Sequence, residues 1–312
     1  MKKVLFIFLC AFLSFICAIT LLVYPKVKKD DAKTVDSIEI WHIDGFEGGI
    51  GSRYACLVGV AKDFMLKNDT VIRVINHTEY SAEGNFNKGI FPDIISYSNG
   101  IDLPYERVIK FKIQNNDVYA FPWCMGAYVY ITRKGVDAEK LIISQQKNTI
   151  PLLAVRLSGV KGEIKCIVSS SEAINEFYLN KDCALIGTQR DLFRLENKGL
   201  ELDVRYLSGY NDLFQYLSVF KNDKNIEKVN NFINFLIEKT VYSNVLKKIG
   251  MLSYLGYLEK NCAEQLNCFK GYCYEYATQP LINPFQLKKL QEQVLNFDKE
   301  KESIKSALKR LK

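Results

Sequence analysis

The chain has 312 residues, 48% hydrophobic and 25% charged, which is enough apolar material for two lobes with their own cores and excludes general disorder. Its formal charge of +7 is modest and spread along the sequence. That distribution argues against a nucleic-acid surface, which needs a concentrated basic stripe with aromatics, and reads as solubility plus attraction to an anionic envelope or membrane surface.

The chain opens with Met1, Lys2 and Lys3, followed by an apolar run from Val4 to Tyr24. At about 1.5 Å per residue that run can cross a hydrocarbon core of about 30 Å. It continues past any Ala-x-Ala-like exit, so residues 1–28 are expected to be a retained membrane anchor rather than a cleaved signal sequence. Cys17 follows Phe15 and Ile16, and Cys10 follows Phe8 and Leu9, so neither has the small-residue setting of a lipoprotein signal. Lysines flank both ends of the run, and the N-terminus is placed inside, with the body outside the cytoplasm.

Seven cysteines lie beyond the anchor, an odd number that cannot all pair. Cys262, Cys268 and Cys273 share an irregular, tyrosine-rich segment that can supply one bridge. Cys56 and Cys183 sit in apolar helix and strand patterns and read as buried thiols. No histidine lies near the cluster and no Cys-x-x-Cys occurs, so no metal is expected.

Next, Asp36 to His42 alternates Ile38 and Ile40 with other side chains, the pattern of a strand. From Ser52 onward Leu57, Val60, Ala61, Phe64 and Met65 fall on one helical face, and Thr70 to Asn76 reads as a second strand. This is a βαβ unit, whose crossover brings strand ends and a helix N-terminus to one edge of a parallel sheet. The loop from Trp41 to Arg53 lies on that edge, and the N–H groups of Ser52 and Arg53 are expected to face the crevice. It is no nucleotide loop, because Gly45 to Ser52 has no lysine before the serine and Gly49-Ile50-Gly51 lacks the third glycine of the dinucleotide fingerprint.

Further along, Phe91 to Ser96 (Phe-Pro-Asp-Ile-Ile-Ser) reads as a short buried strand. Tyr119 to Tyr130 contains Ala-Phe-Pro, Phe177 to Leu195 contains Ala-Leu-Ile-Gly-Thr-Gln-Arg-Asp, and a helix predicted from Ile226 to Ile249 carries Val229, Phe232, Ile233 and Leu236 on one face before Gly250-Met-Leu-Ser. These segments, in this order, resemble the extracellular solute-binding proteins of ABC importers, carbohydrate-type family. The resemblance covers most of residues 36 to 255 and implies a two-lobe α/β type II periplasmic-binding fold without catalytic groups or cofactor. It also implies a first lobe of residues 35–125 plus about 208–260, and a second lobe of 126–207 plus about 261–312. One departure stands out: Gly135 to Glu176 is much shorter than the family's usual stretch, so the second lobe is expected to be abbreviated, and the usual glycine is absent at Leu179-Asn180-Lys181.

Candidate ligand contacts are strand-end and hinge residues. Trp41 and Trp123 can stack on a sugar or pack in the core, with Trp123 the better cleft residue because it follows Pro122 at the lobe crossing. Asp44 and Glu47 can accept from hydroxyls, although Asp44 or Ser52 can equally cap the helix. Ser96 and Tyr97 end the third strand, and Gln189 and Arg190 follow the strand Ala184 to Gly187. Arg53 and Arg190 together suit a carboxylate or phosphate, while Arg190 can instead pair with Asp191 or Glu196. Hydrolase chemistry is disfavoured: no Gly-x-Ser-x-Gly is present, and Asp44 and Glu47 share one loop rather than flanking a bond.

From Leu287 the chain repeats at heptad spacing through Leu290, Val294, Phe297, Lys301, Ile304, Leu308 and Leu311. This seam reads as a helix covering the smaller lobe, with a coiled-coil contact as the alternative. The expectation is a membrane-tethered, extracytoplasmic protein that captures a carbohydrate by lobe closure and delivers it to ABC permease subunits. The alternative is a shortened relative serving as an envelope interaction or sensor module. The full chain should sediment with membranes and a chain lacking residues 1–28 should not; fractionation of the two checks the anchor.

Overall fold

The computed structural model describes residues 37–221, 225–255, 269 and 272–309. The expected anchor, Cys262, Cys268 and Leu311 lie outside these. Alternation along the first segment forms β1 (Ser37–His42), followed by helix α1 (Arg53–Met65) and β2 (Val71–Asn76), and β2 pairs parallel with β1. Helix α2 (Glu79–Phe86) then leads to β3 (Ile94–Tyr97), parallel to β1 on its other side. Both faces of this sheet are covered. Ile38 and Ile40 pack in one cluster with Leu57, Val60 and Phe64 of α1, whereas Trp41, Ile95 and Tyr97 belong to another.

Short strands β4 (Val108–Ile109), β5 (Phe111–Ile113) and β6 (Asn116–Val118) precede β7 (Phe121–Met125). The chain then crosses into a second sheet made of β8 (Tyr128–Arg133), β9 (Lys140–Ser144), β10 (Glu163–Val168), β11 (Cys183–Thr188) and β12 (Leu202–Tyr206). Its helices are α3 (Pro151–Leu157), α4 (Ser170–Leu179) and α5 (Gln189–Glu196). After the two-residue strand β13 (Tyr210–Asn211) the chain returns as β14 (Phe214–Phe220), which enters the first sheet antiparallel to β3.

The two sheets share one order. In the first it runs β2-β1-β3-β14, in the second β10-β9-β11-β8, with three parallel strands and one antiparallel strand in each. In such sheets the crevice for a ligand forms where the strand order reverses, at the carboxyl ends of the central strands. Here those are the ends of β1 and β3 in one lobe and of β9 and β11 in the other. The second lobe, expected to be abbreviated, has a five-stranded sheet.

The crossings run side by side. Gly126 N–H donates to Leu213 O at 2.6 Å, and Asn211 Nδ2 donates to Gly126 O at 2.9 Å. Between them Asp212, 1% exposed, accepts from Tyr128 OH at 2.6 Å, Ile150 N–H at 2.7 Å and Tyr210 OH at 3.1 Å.

Two predicted helices divide. The span from Ile226 to Ile249 is α6 (Ile226–Ile237) and α7 (Lys239–Ile249), because Glu238 takes extended backbone (φ −54, ψ 131) and redirects the chain. Val229, Phe232, Ile233 and Leu236 are all buried, as their spacing implies. After β15 (Tyr276–Ala277), the heptad seam likewise folds back at Asn296 into α8 (Pro284–Leu295) and α9 (Phe297–Lys309), which pack on each other. Leu287, Leu290, Val294, Phe297, Ile304 and Leu308 are buried within the chain's own core. Leu287 borders Gly100 of the first lobe, and Gln291 Nε2 donates to Lys147 O and Thr149 O of the second, each at 3.3 Å, so α8 touches both lobes. Cys56 and Cys183 are buried free thiols, and Cys273 is a free, exposed one.

Burial pushes Asp212 up to about 6, against the opposing hydrogen bonds from Tyr128, Ile150 and Tyr210. An acid with a raised native pKa contributes stability that is full below its unfolded value and lost as pH rises through the native value. The stability difference between the wild type and Asp212→Asn should therefore fall by roughly 2 kcal/mol between about pH 4 and pH 7, measured by chemical denaturation across that range.

Candidate functional site

The end of β1 sets the first wall. His42 is fully buried, with Nδ1 3.0 Å from Ser96 Oγ and Nε2 3.1 Å from Asp44 Oδ1. Ser96 Oγ accepts from Trp123 Nε1 at 3.1 Å and from Gln215 Nε2 at 3.0 Å; the same Gln215 nitrogen donates to Ile43 O, which fixes its amide orientation. With both acceptor positions used, the serine proton goes to Nδ1, so the ring carries its own proton on Nε2 and donates to Asp44. Burial lowers the His42 pKa and keeps the ring neutral. Although serine, histidine and aspartate stand in line, Ser96 is fully buried and offers no accessible nucleophile.

Asp44 also accepts from Arg53 Nε at 2.9 Å and pairs with Arg53 Nη2 at 2.8 Å. Burial would raise its pKa, but the His42 hydrogen bond and the Arg53 charge outweigh this and hold it well below the usual carboxylate range. Arg53, 5% exposed, donates to Phe46 O as well and lies 4.3 Å from the Phe46 ring centroid. It braces the loop that follows β1.

That loop turns through glycines where little else fits. Gly49 has φ +69, and a Cβ there would lie 2.0 Å from Ile249 O at the end of α7. Ile50 N–H donates to the same carbonyl at 2.9 Å, and Ser52 then caps α1 by accepting from Ala55 N–H at 3.1 Å.

Glu47, at the loop's tip, reaches the second lobe. Its N–H donates to Gln146 Oε1, and its carbonyl accepts from Gln146 Nε2 at 3.1 Å and Thr188 Oγ1 at 3.2 Å. Its carboxylate Oε2 lies 3.2 Å from Arg194 Nη2 and 3.5 Å from Arg190 Nε. Both arginines project from α5, whose capping box joins Thr188 and Asp191. Asp191 is 1% exposed and accepts from Ser170 Oγ at 2.6 Å and Thr188 N–H at 2.9 Å; burial raises its pKa.

Between these walls lies a cleft of about 630 Å³, lined by Asp44, Glu47, Ser52 and Arg53 on one side and by Gln145, Gln146, Ser169, Ser170 and Arg190 on the other. Among the described residues Phe46 is the one aromatic in its lining, 6% exposed and covered by Arg53. The walls therefore offer hydrogen bonds and charge rather than a stacking platform. Among the described residues no cluster of histidine, cysteine or carboxylate side chains is arranged to hold a metal.

The sequence matches no protein-family model and no curated protein. Solved structures do match. The sugar-binding protein MalE from the phytopathogen Xanthomonas citri is similar over 88% of this chain and 96% of its own, with a TM-score of 0.60 at 12% identity. AttC from Agrobacterium tumefaciens, in an open unliganded conformation, is similar over 84% and 98%, with a TM-score of 0.59 at 7% identity. Iron-bound HitA from Pseudomonas aeruginosa is similar over 83% and 99%, with a TM-score of 0.54 at 12% identity. The chain has the two-lobe periplasmic-binding fold.

In this periplasmic-binding fold, four of the nine expected contacts line the cleft: Asp44, Glu47, Arg53 and Arg190. The other five do not. Trp41 is 1% exposed and donates to Glu39 Oε1 at 2.6 Å, beside the rings of His77 and Phe86. Trp123 and Ser96 are fully buried in the network behind His42, and Tyr97, 1% exposed, is hydrogen-bonded to Ser218. Gln189 is buried at the hinge, where its Oε1 accepts from Ala127 N–H at 2.9 Å. Nor do Arg53 and Arg190 form a joint fork: Arg53 is taken by Asp44, while Arg190 lies with Arg194 at Glu47.

Sequence reading missed Arg194, Gln145, Gln146, Ser169 and Ser170. Arg194 lies one helical turn beyond Arg190, and Ser169-x-x-Glu172 is a capping box that marks the start of α4 at the cleft. Gln145 and Gln146 directly follow β9. At the loop, Gly49→Ala should destabilise by about 2 kcal/mol or more, whereas Gly89→Ala, at φ +74 with open space, should cost about 1 kcal/mol; urea melts of both variants check the difference.

Proposed function

We propose that the protein is an extracytoplasmic solute-binding subunit of an ABC importer, which holds a carbohydrate between its lobes and hands it to a permease. The observation that carries this reading is the cleft itself, placed at the carboxyl ends of both parallel sheets and bridged by two adjacent crossings that permit rigid-body closure. Sugar binding by structural neighbours such as MalE from Xanthomonas citri supports the solute class. Amide, hydroxyl and charged groups on the walls suit hydroxyl-rich ligands held edge-on. Tethering through residues 1–28 would keep the body near its permease.

A second reading has its own support. The Glu47 tip already joins the lobes through Gln146 and Thr188, and among the described residues no exposed aromatic lines the cleft, as fits an envelope interaction or sensor module without a transport role.

Calorimetric titration of residues 29–312 with neutral and acidic mono- and oligosaccharides separates the two. Solute capture predicts saturable heat with at least one sugar, weakened about tenfold or more by Gln146→Ala, which removes a wall amide. A folded protein giving no heat with any sugar supports the interaction module.

A further inference from the structure

The second lobe presents a compact polar receptor: the Arg190 and Arg194 guanidinium groups, the Thr188 hydroxyl and the Gln146 amide. What fills it is Glu47, a residue of the opposite lobe. Its carboxylate takes the charged half, and its main-chain N–H and C=O take the amide and the hydroxyl. A protein carboxylate placed between two guanidinium groups shows what the position accepts.

We propose that this receptor is a carboxylate subsite, that Glu47 occupies it as a built-in competitor, and that an acidic sugar binds by displacing the Glu47 side chain. The inference rests on the solute-binding reading and adds the ligand's charged group and the manner of its entry. Three observations favour exchange over a permanent bridge. The Glu47, Arg190 and Arg194 side chains are 45%, 42% and 33% exposed, and the Glu47 Oε2 that faces the arginines, although covered, makes no hydrogen bond that would lock it in place. Ion pairs this exposed are weak, which makes Glu47 easy to displace. The lobes stay joined meanwhile, because the Gln146 and Thr188 bonds go to the Glu47 main chain and do not need its carboxylate.

Arg53 cannot serve in this role. Asp44 neutralises it at 2.8 Å, so the uncommitted positive charge of the cleft lies on α5. Asp191 also lies 3.7 Å from Arg194, which leaves Arg190 as the guanidinium released most fully when Glu47 leaves.

The test uses glucuronate as probe and glucose as its neutral counterpart, titrated into residues 29–312 by calorimetry. Glu47→Gln, which keeps every main-chain bond, should bind glucuronate roughly two- to fivefold more tightly than wild type. Arg190→Gln should weaken glucuronate about tenfold or more, and each change should shift glucuronate binding by a larger factor than it shifts glucose binding. Thermal melts confirm that both variants fold. Unchanged or weaker glucuronate binding in Glu47→Gln, or no glucuronate binding in either protein, overturns the proposal. If glucose or another neutral sugar still binds, solute capture stands without the carboxylate subsite; if no sugar binds at all, solute capture falls with it.

Discussion

The pair of hydrogen-bonded crossings at Gly126 and Asn211 to Leu213 sets the geometry on which the rest depends. Because β14 must return to the first sheet after the second is complete, the chain passes between lobes twice, and the passes are locked beside each other. That holds the carboxyl ends of β1, β3, β9 and β11 opposite one another. Asp212 ties the crossing to the start of α3 through Ile150 N–H. A carboxylate in so dry a place is costly, and its three donors keep it there.

From this frame the site follows by short steps. The end of β1 delivers His42, whose proton on Nε2 orients Asp44; Asp44 holds Arg53, and Arg53 holds the Phe46 carbonyl. The glycine loop is thus stiffened from inside while its tip reaches outward. On the facing lobe, the capping boxes of α4 and α5 fix Ser169, Thr188 and Asp191, and they aim Arg190 and Arg194 at the tip.

Much of this architecture was legible in the sequence. Alternation at Ile38 and Ile40 and the helical stripe from Leu57 to Phe64 read correctly because both patterns depend on burial alone. The helix breaks at Glu238 and Asn296 were not legible: the apolar spacing continues through both, and tertiary packing decides where the chain turns. Site residues divided on the same ground. Asp44, Glu47, Arg53 and Arg190 are charged groups that seek water or partners at strand ends. Trp41, Trp123, Tyr97 and Gln189 are amphipathic, and sequence alone does not say whether their polar ends face solvent or a buried partner. Here every one of them has a protein partner.

Both tryptophans belong to the first lobe, Trp41 on β1 and Trp123 on β7, and neither lines the cleft. Their emission therefore registers first the integrity of that lobe's interior, and Trp123 meets what enters between the lobes only through Ser96, His42 and Asp44. An optical assay of occupancy in this chain needs a reporter placed on the second lobe's rim, where Gln145 and Ser169 stand.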